Sequence, residues 1–201
     1  MEYLRGPTLA AYLRPLHQQN ERLPCPLVAH LLDGLSAALD YAHAQGVIHR
    51  DVKPGNILLH NKTDEIPLDQ ALPEDVEPVL TDFGLVRLVD TDTHTTSDII
   101  SGTPEYMSPE QAKGRPADKR SDVWGFGCVL FELLSGKRPF AGDDVSDTLA
   151  DVLRAEPDWT KLPATTPAPI VQLVKRCLVK DRRLRLPDIS VARFEIDEWT
   201  S

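Results

Sequence analysis

The segment His49-Arg50-Asp51-Val52-Lys53-Pro54-Gly55-Asn56 places a carboxylate, an ammonium group and an amide close together, after a helical stretch and before a short β-like run. A second carboxylate follows in Asp82-Phe83-Gly84, directly after another short apolar run, Val79-Leu80-Thr81. Carboxylate and amide oxygens are ligands for hard cations, and a positioned carboxylate can accept a proton from a hydroxyl. Taken singly, Asp51, Asn56 and Asp82 also read as ordinary turn and cap residues. The six histidines (His17, His30, His43, His49, His60 and His94) show no paired metal-ligand spacing, which argues against a zinc site.

With these residues the sequence resembles the protein kinases, whose catalytic loop and metal-binding motif have this wording and this order. Five fixed positions in one octet arise by chance on the order of once in 10,000 sequences of this length. The resemblance implies a serine/threonine protein kinase that transfers the ATP γ-phosphate to protein Ser and Thr hydroxyls, with ATP and magnesium as cofactors. In that reading Asp51 orients the attacking hydroxyl and accepts its proton, and Lys53 contacts the transferring phosphate. A lysine at that position points to Ser/Thr rather than tyrosine substrates. Asn56 and Asp82 match the two magnesium ligands. Met1-Glu2-Tyr3-Leu4 resembles the hinge between kinase lobes, so Glu2 and Leu4, with Leu58, would line the nucleotide site. His49 is expected to pack beneath the metal loop, and Gly84 to act as a backbone hinge.

Further matches are to scaffold positions. Gly102 to Glu110 resembles the end of an activation segment, with Ser108 where the family more often has Ala. Thr103 matches a threonine that hydrogen-bonds near Asp51 and Lys53. Glu110 would pair with Arg185, and Asp122 would hold the catalytic-loop backbone. Arg50, expected to be buried beside Asp51, is a ready partner for a phosphate on Thr93, Thr95, Thr96 or Ser97, and less so on Thr103. The phrases Pro139-Phe140-Ala141-Gly142-Asp143-Asp144 and Asp158-Trp159 are similar to those of the bacterial eukaryotic-like kinases.

The remaining elements must position these residues. Helical periodicity marks residues 8–16, 27–46, 144–155, 167–178 and 190–199, and residues 121–134 are apolar nearly all round, as expected of a buried central helix. Short β-like runs lie at Val47-Ile48, 57–59 and 79–81. The fold class is therefore mainly α with short β-strands, and the resemblance implies the large, C-terminal lobe of a kinase spanning residues 1–201. Residues 60–78 read as a solvated acidic insertion too polar and Pro-rich for core, with partner docking as the sharper alternative. They hold six acids and one base, over half of the net −9 set by 22 basic and 31 acidic residues.

That acidity argues against general nucleic-acid or anionic-membrane binding. Three widely spaced cysteines among 201 residues suggest a reducing compartment and no disulfide framework. No segment reads as a signal peptide or membrane span, so a cytoplasmic location is expected, either free or as part of a membrane-anchored parent. The small lobe's Gly-rich loop and phosphate-holding lysine have no match, since only Gly6 precedes Gly34 and Lys53 is the first lysine. The expected partners are thus protein substrates and the missing N-terminal lobe, and this stretch alone is expected to be inactive. The other reading is a non-catalytic lone-lobe interaction module. Intact Asp51, Asn56 and Asp82 argue against it, because a chain freed from catalysis has no physical reason to keep them.

Overall fold

A computed structural model describes residues 5–61, 66–68, 70–73, 75–83 and 104–200. Two helices open the chain, α1 (Leu9–Gln19) and α2 (Cys25–Ala44), followed by strands β1 (Ile57–His60) and β2 (Glu77–Leu80). Five more α-helices come after among the described residues: α3 (Pro109–Ala112), α4 (Lys119–Ser135), α5 (Val145–Arg154), α6 (Ala168–Cys177) and α7 (Ile189–Thr200). The expectation of a mainly helical chain with short strands holds. Among the described residues no helix is long and apolar enough to cross a membrane.

The centre is α4. Asp118 caps it by accepting from the Arg120 N–H at 2.8 Å, and Gly136 ends it at φ +70°, a turn that glycine makes without a Cβ penalty. Every residue from Ser121 to Ser135 is buried, so this helix carries no polar face. It packs against α2 and α6, and α2 packs in turn against α7. Gly125 lets α4 reach the segment that follows His49. A Cβ there would lie 2.8 Å from the Val52 carbonyl oxygen, closer than side chains tolerate.

At the other end of the site, β1 and β2 pair antiparallel with Ile57 opposite Leu80 and His60 opposite Glu77. The chain ahead of α1 joins this ribbon, because the Leu59 N–H donates to the Pro7 carbonyl at 2.8 Å. Thr8 then caps α1, its Oγ1 accepting from the Ala11 N–H at 3.2 Å.

Two expectations fail. Val47-Ile48 forms no strand: the Val47 N–H closes the end of α2 by donating to the Ala42 carbonyl at 2.9 Å. The acidic segment is not wholly solvated. Ile66, Leu72 and Val76 are buried, Tyr12 Oη donates to the Gln70 carbonyl at 2.9 Å, and His30 Nε2 donates to the Val76 carbonyl at 2.6 Å. Three spaced apolar anchors suffice to dock a polar segment on α1 and α2, and composition averaged over nineteen positions hides them. The short helix α3 was also invisible to periodicity. It rests on a capping box in which Ser108 and Gln111 satisfy each other's backbone N–H groups.

A buried ion pair ties α3 to the far end of the chain. Arg185 donates through Nη1 and Nη2 to the two Glu110 oxygens at 2.7 and 2.9 Å, and Ser121 Oγ donates to Oε1 at 2.8 Å. The rest of the guanidinium is satisfied by the Val179 and Arg120 carbonyls, and its face lies 5.0 Å from the Trp124 ring. Burial pushes the Glu110 carboxyl up, but the hydrogen bonds and charge of Arg185 and the Ser121 hydroxyl outweigh it and hold the group at about 2.

Breaking such a pair from one side strands a charge. Arg185→Met is expected to cost about 3–5 kcal/mol in urea unfolding, and a loss under about 1 kcal/mol would contradict this account. Because the folded-state value is depressed from 4.5, the Glu110 contribution is complete above pH 4.5 and is lost as pH falls towards about 2. Glu110→Gln, already less stable at neutral pH, should lose less stability than the parent across that window; parallel losses would count against the pair.

Candidate active site

The site is built outward from Asp122, on the first turn of α4 and 1 % exposed. Its Oδ2 accepts from the His49 N–H at 2.9 Å and from His43 Nε2 at 2.7 Å, and its Oδ1 accepts from the Arg50 N–H at 2.7 Å. To present consecutive N–H groups to one carboxylate, the chain turns left-handed at Arg50, with φ +68°. That conformation is costly for a residue with a Cβ, and the charge-assisted bonds to Asp122 hold it in place. The Arg50 carbonyl is taken by Gln111 Nε2 at 2.7 Å.

His49 is buried with both ring nitrogens engaged. Nε2 donates to the Thr81 carbonyl at 2.8 Å and Nδ1 accepts from the Asp51 N–H at 3.2 Å. Its ring meets Phe83 edge-on at 4.8 Å. With no free nitrogen, it serves as a strut between the 49–51 turn and the 81–83 turn.

Asp51 projects beyond this strut, its side chain 49 % exposed. Lys53 Nζ lies 2.7 Å from Asp51 Oδ2. Asn56, 7 % exposed, donates from Nδ2 to the Asp51 carbonyl at 2.8 Å and to Asp51 Oδ2 at 2.9 Å. Both amide hydrogens are thus used inward. Among the described residues neither Asn56 Oδ1 nor Asp51 Oδ1 receives a hydrogen bond, so two oxygens remain for ligands.

Strand pairing brings Asp82 to the same place. The Thr81 N–H and Oγ1 both donate to the Asn56 carbonyl, at 2.9 and 3.1 Å, and Asp82 follows, exposed and at φ +60°. No three His, Cys, Asp or Glu side chains among the described residues form a metal cage. Two oxygens from Asn56 and Asp82 instead suit a small hard cation that takes its remaining ligands from phosphates and water.

Several site residues expected from the sequence behave otherwise or lie elsewhere. Arg50 is exposed, not buried, because its backbone N–H rather than its side chain satisfies Asp122. Leu58 is half-buried on β1, opposite Val79 and bridged to Thr8. Glu2, Leu4, Gly84, Thr93, Thr95, Thr96, Ser97 and Thr103 lie outside the described residues.

The structure also adds residues that the sequence reading passed over. His43, on α2, supplies the third bond to Asp122. Tyr106 donates its hydroxyl to the buried Glu132 carboxylate, and Arg138 reaches both Glu105 and Glu132. Burial raises the Tyr106 hydroxyl far above its ordinary value, with Glu132 adding to the effect; burial likewise raises Glu132 against the pull of Tyr106 and Arg138. A charged residue inside an apolar helix such as α4 was the one available signal for Glu132.

Comparison with known proteins agrees with this geometry. The sequence profile of the protein kinase domain matches residues 1–193. The chain is 38 % identical over 181 residues to the serine/threonine-protein kinase PkaA of Streptomyces coelicolor, covering 90 % of this chain and 30 % of that protein. It is 36 % identical over 185 residues to PknA of Mycobacterium tuberculosis, covering 92 % and 38 % respectively. A probable serine/threonine-protein kinase PknB of Bifidobacterium longum is 41 % identical over 145 residues, 71 % of this chain and 19 % of the relative. The chain therefore spans well under half the length of each of these relatives. With the profile covering nearly all of it, from ahead of α1 into the start of α7, the chain belongs to the protein kinase family.

Proposed function

We propose that the chain carries the phosphate-transfer face of an ATP-dependent serine/threonine protein kinase, within the part of that fold called the large lobe. One observation supports this above all: Asn56 and Lys53 both hold Asp51 Oδ2, at 2.9 and 2.7 Å, which leaves Oδ1 to face an incoming hydroxyl. Asp51 then orients a Ser or Thr hydroxyl and accepts its proton. As the hydroxyl oxygen bonds to the γ-phosphorus, the bond from that phosphorus to the β-phosphate oxygen breaks and ADP leaves. Lys53 places a positive charge where the transferring group gathers negative charge.

Asn56 Oδ1 and the Asp82 carboxylate would hold magnesium, and the donor set fits it, as one amide and one carboxylate oxygen leave positions for phosphate oxygens. When bound, the ion neutralises phosphate charge during transfer. Leu58, and in the same reading Glu2 and Leu4, would face the nucleotide. Asp122, which holds the loop backbone, and the Glu110–Arg185 pair, which ties α3 to the later helices, act as positioning residues and take no part in the transfer.

Because the chain spans only part of its relatives, the test uses the polypeptide as its own host makes it. Asp51→Asn should lower kcat by about 10²–10⁴-fold while nucleotide affinity stays within about twofold of the parent. An undiminished kcat would overturn the role of Asp51. A parent polypeptide that transfers no phosphate, yet binds a protein partner, would overturn the enzymatic reading in favour of an interaction module.

The exposed Arg50 guanidinium beside Asp51 is a ready partner for a phosphate on the same chain. Self-phosphorylation is expected within residues 91–103, at Thr93, Thr95, Thr96 or Ser97. Phosphopeptide mapping that places every site outside that window would contradict this role for Arg50.

A further inference from the structure

A concavity of about 490 Å³ opens beside the Asp51–Lys53 pair, between α1, the Lys53-Pro54-Gly55 turn, Tyr106 and the C-terminal end of α4. It shares Lys53 with the proposed transfer site, so a peptide whose hydroxyl reached Asp51 would lay a neighbouring side chain into it.

Its chemistry runs against the charge of the chain as a whole. In a protein of net charge −9, this pocket gathers Arg14, Lys53 and Arg138, and among the described residues Glu132 is its one lining carboxylate. That carboxylate is 4 % exposed and already engaged. Tyr106 donates to one oxygen, and Arg138 Nε lies 4.0 Å from the other. Arg138 also reaches Glu105 on the rim, and its side chain remains 46 % exposed.

Two donors are unspent. Arg14, exposed on α1, makes no hydrogen bond or ion pair to any described residue. His17 Nε2 is buried in the wall without a hydrogen-bond partner, while Nδ1 stands 3.9 Å from Glu132 Oε1. Guanidinium groups bind carboxylates through paired N–H donors, and a free one in a walled pocket selects that geometry.

We infer that this pocket is a substrate-recognition site that takes the side chain of an aspartate or glutamate lying a few residues from the acceptor Ser or Thr, with Arg14 as its main partner and Arg138 as the second. The inference rests on the proposed kinase function, since that function puts the acceptor hydroxyl at Asp51. A basic side chain, the alternative occupant, would have to displace Tyr106 and Arg138 from Glu132.

The test compares peptides that differ at one position, with Glu, Ala or Lys scanned on both sides of the acceptor, using the polypeptide as its host makes it. At one position or more Glu should exceed Ala by about tenfold in kcat/KM, mostly through KM, and Lys should fall below Ala. Arg14→Ala should shrink the Glu-to-Ala ratio to about twofold, and Arg14→Glu should invert the Glu-to-Lys order. Binding of the same peptides with Ala at the acceptor position, followed by fluorescence anisotropy in an Asp51→Asn background, should rank them in the same order without turnover. Loss of turnover with this ranking intact would sink the kinase reading and spare the pocket. No position favouring Glu over both Ala and Lys, or a ratio untouched by Arg14→Ala, would overturn the pocket.

Discussion

One carboxylate, Asp122, holds the candidate site together. A charge that deep in an apolar helix costs several kcal/mol unless donors surround it, and here three do: His43, the His49 N–H and the Arg50 N–H. Two of the three are backbone groups of one turn, so satisfying the charge dictates the path of the chain. The left-handed turn at Arg50, the outward aim of Asp51 and the strut formed by His49 all follow from that requirement. Buried polarity here specifies a conformation that apolar packing alone would leave open.

The same logic extends outward in two directions. Toward the strands, His49 and Asn56 each bond to Thr81, so the turn that ends at Asp82 is registered against the loop that begins at Asp51. Toward α3, Gln111 spends its amide twice: Oε1 accepts from Ser108, and Nε2 donates to the Arg50 carbonyl. Since α3 is anchored by the Glu110–Arg185 pair, the C-terminal helices and the loop share one rigid frame. Gly125 completes the frame by bringing α4 against Val52 with no side chain between them.

How much of this could be read from the sequence depended on how local each signal was. The 49–56 motif is contiguous, the apolar stripes of α2 and α6 repeat and α4 is apolar all round, so the helical fold and the grouping of Asp51, Lys53 and Asn56 were legible. The meeting of Glu110 with Arg185, 75 positions away, was readable only through family resemblance. His43 was missed because a buried carboxylate's third donor leaves no trace in spacing. Arg50 was misplaced because the left-handed turn that leaves it exposed has no mark in the sequence. The docking of Ile66, Leu72 and Val76 was hidden by the acids around them. The one-turn helix α3 is shorter than any period that could reveal it.

The most direct test of the account is a crystal structure of the natural polypeptide with magnesium and a non-hydrolysable ATP analogue. The account predicts Asn56 Oδ1 and an Asp82 oxygen at about 2.1 Å from the ion, with Asn56 Nδ2 still donating to Asp51 and the Arg50 turn unchanged. Magnesium held by other residues, or an Asn56 amide turned away from Asp51, would contradict it.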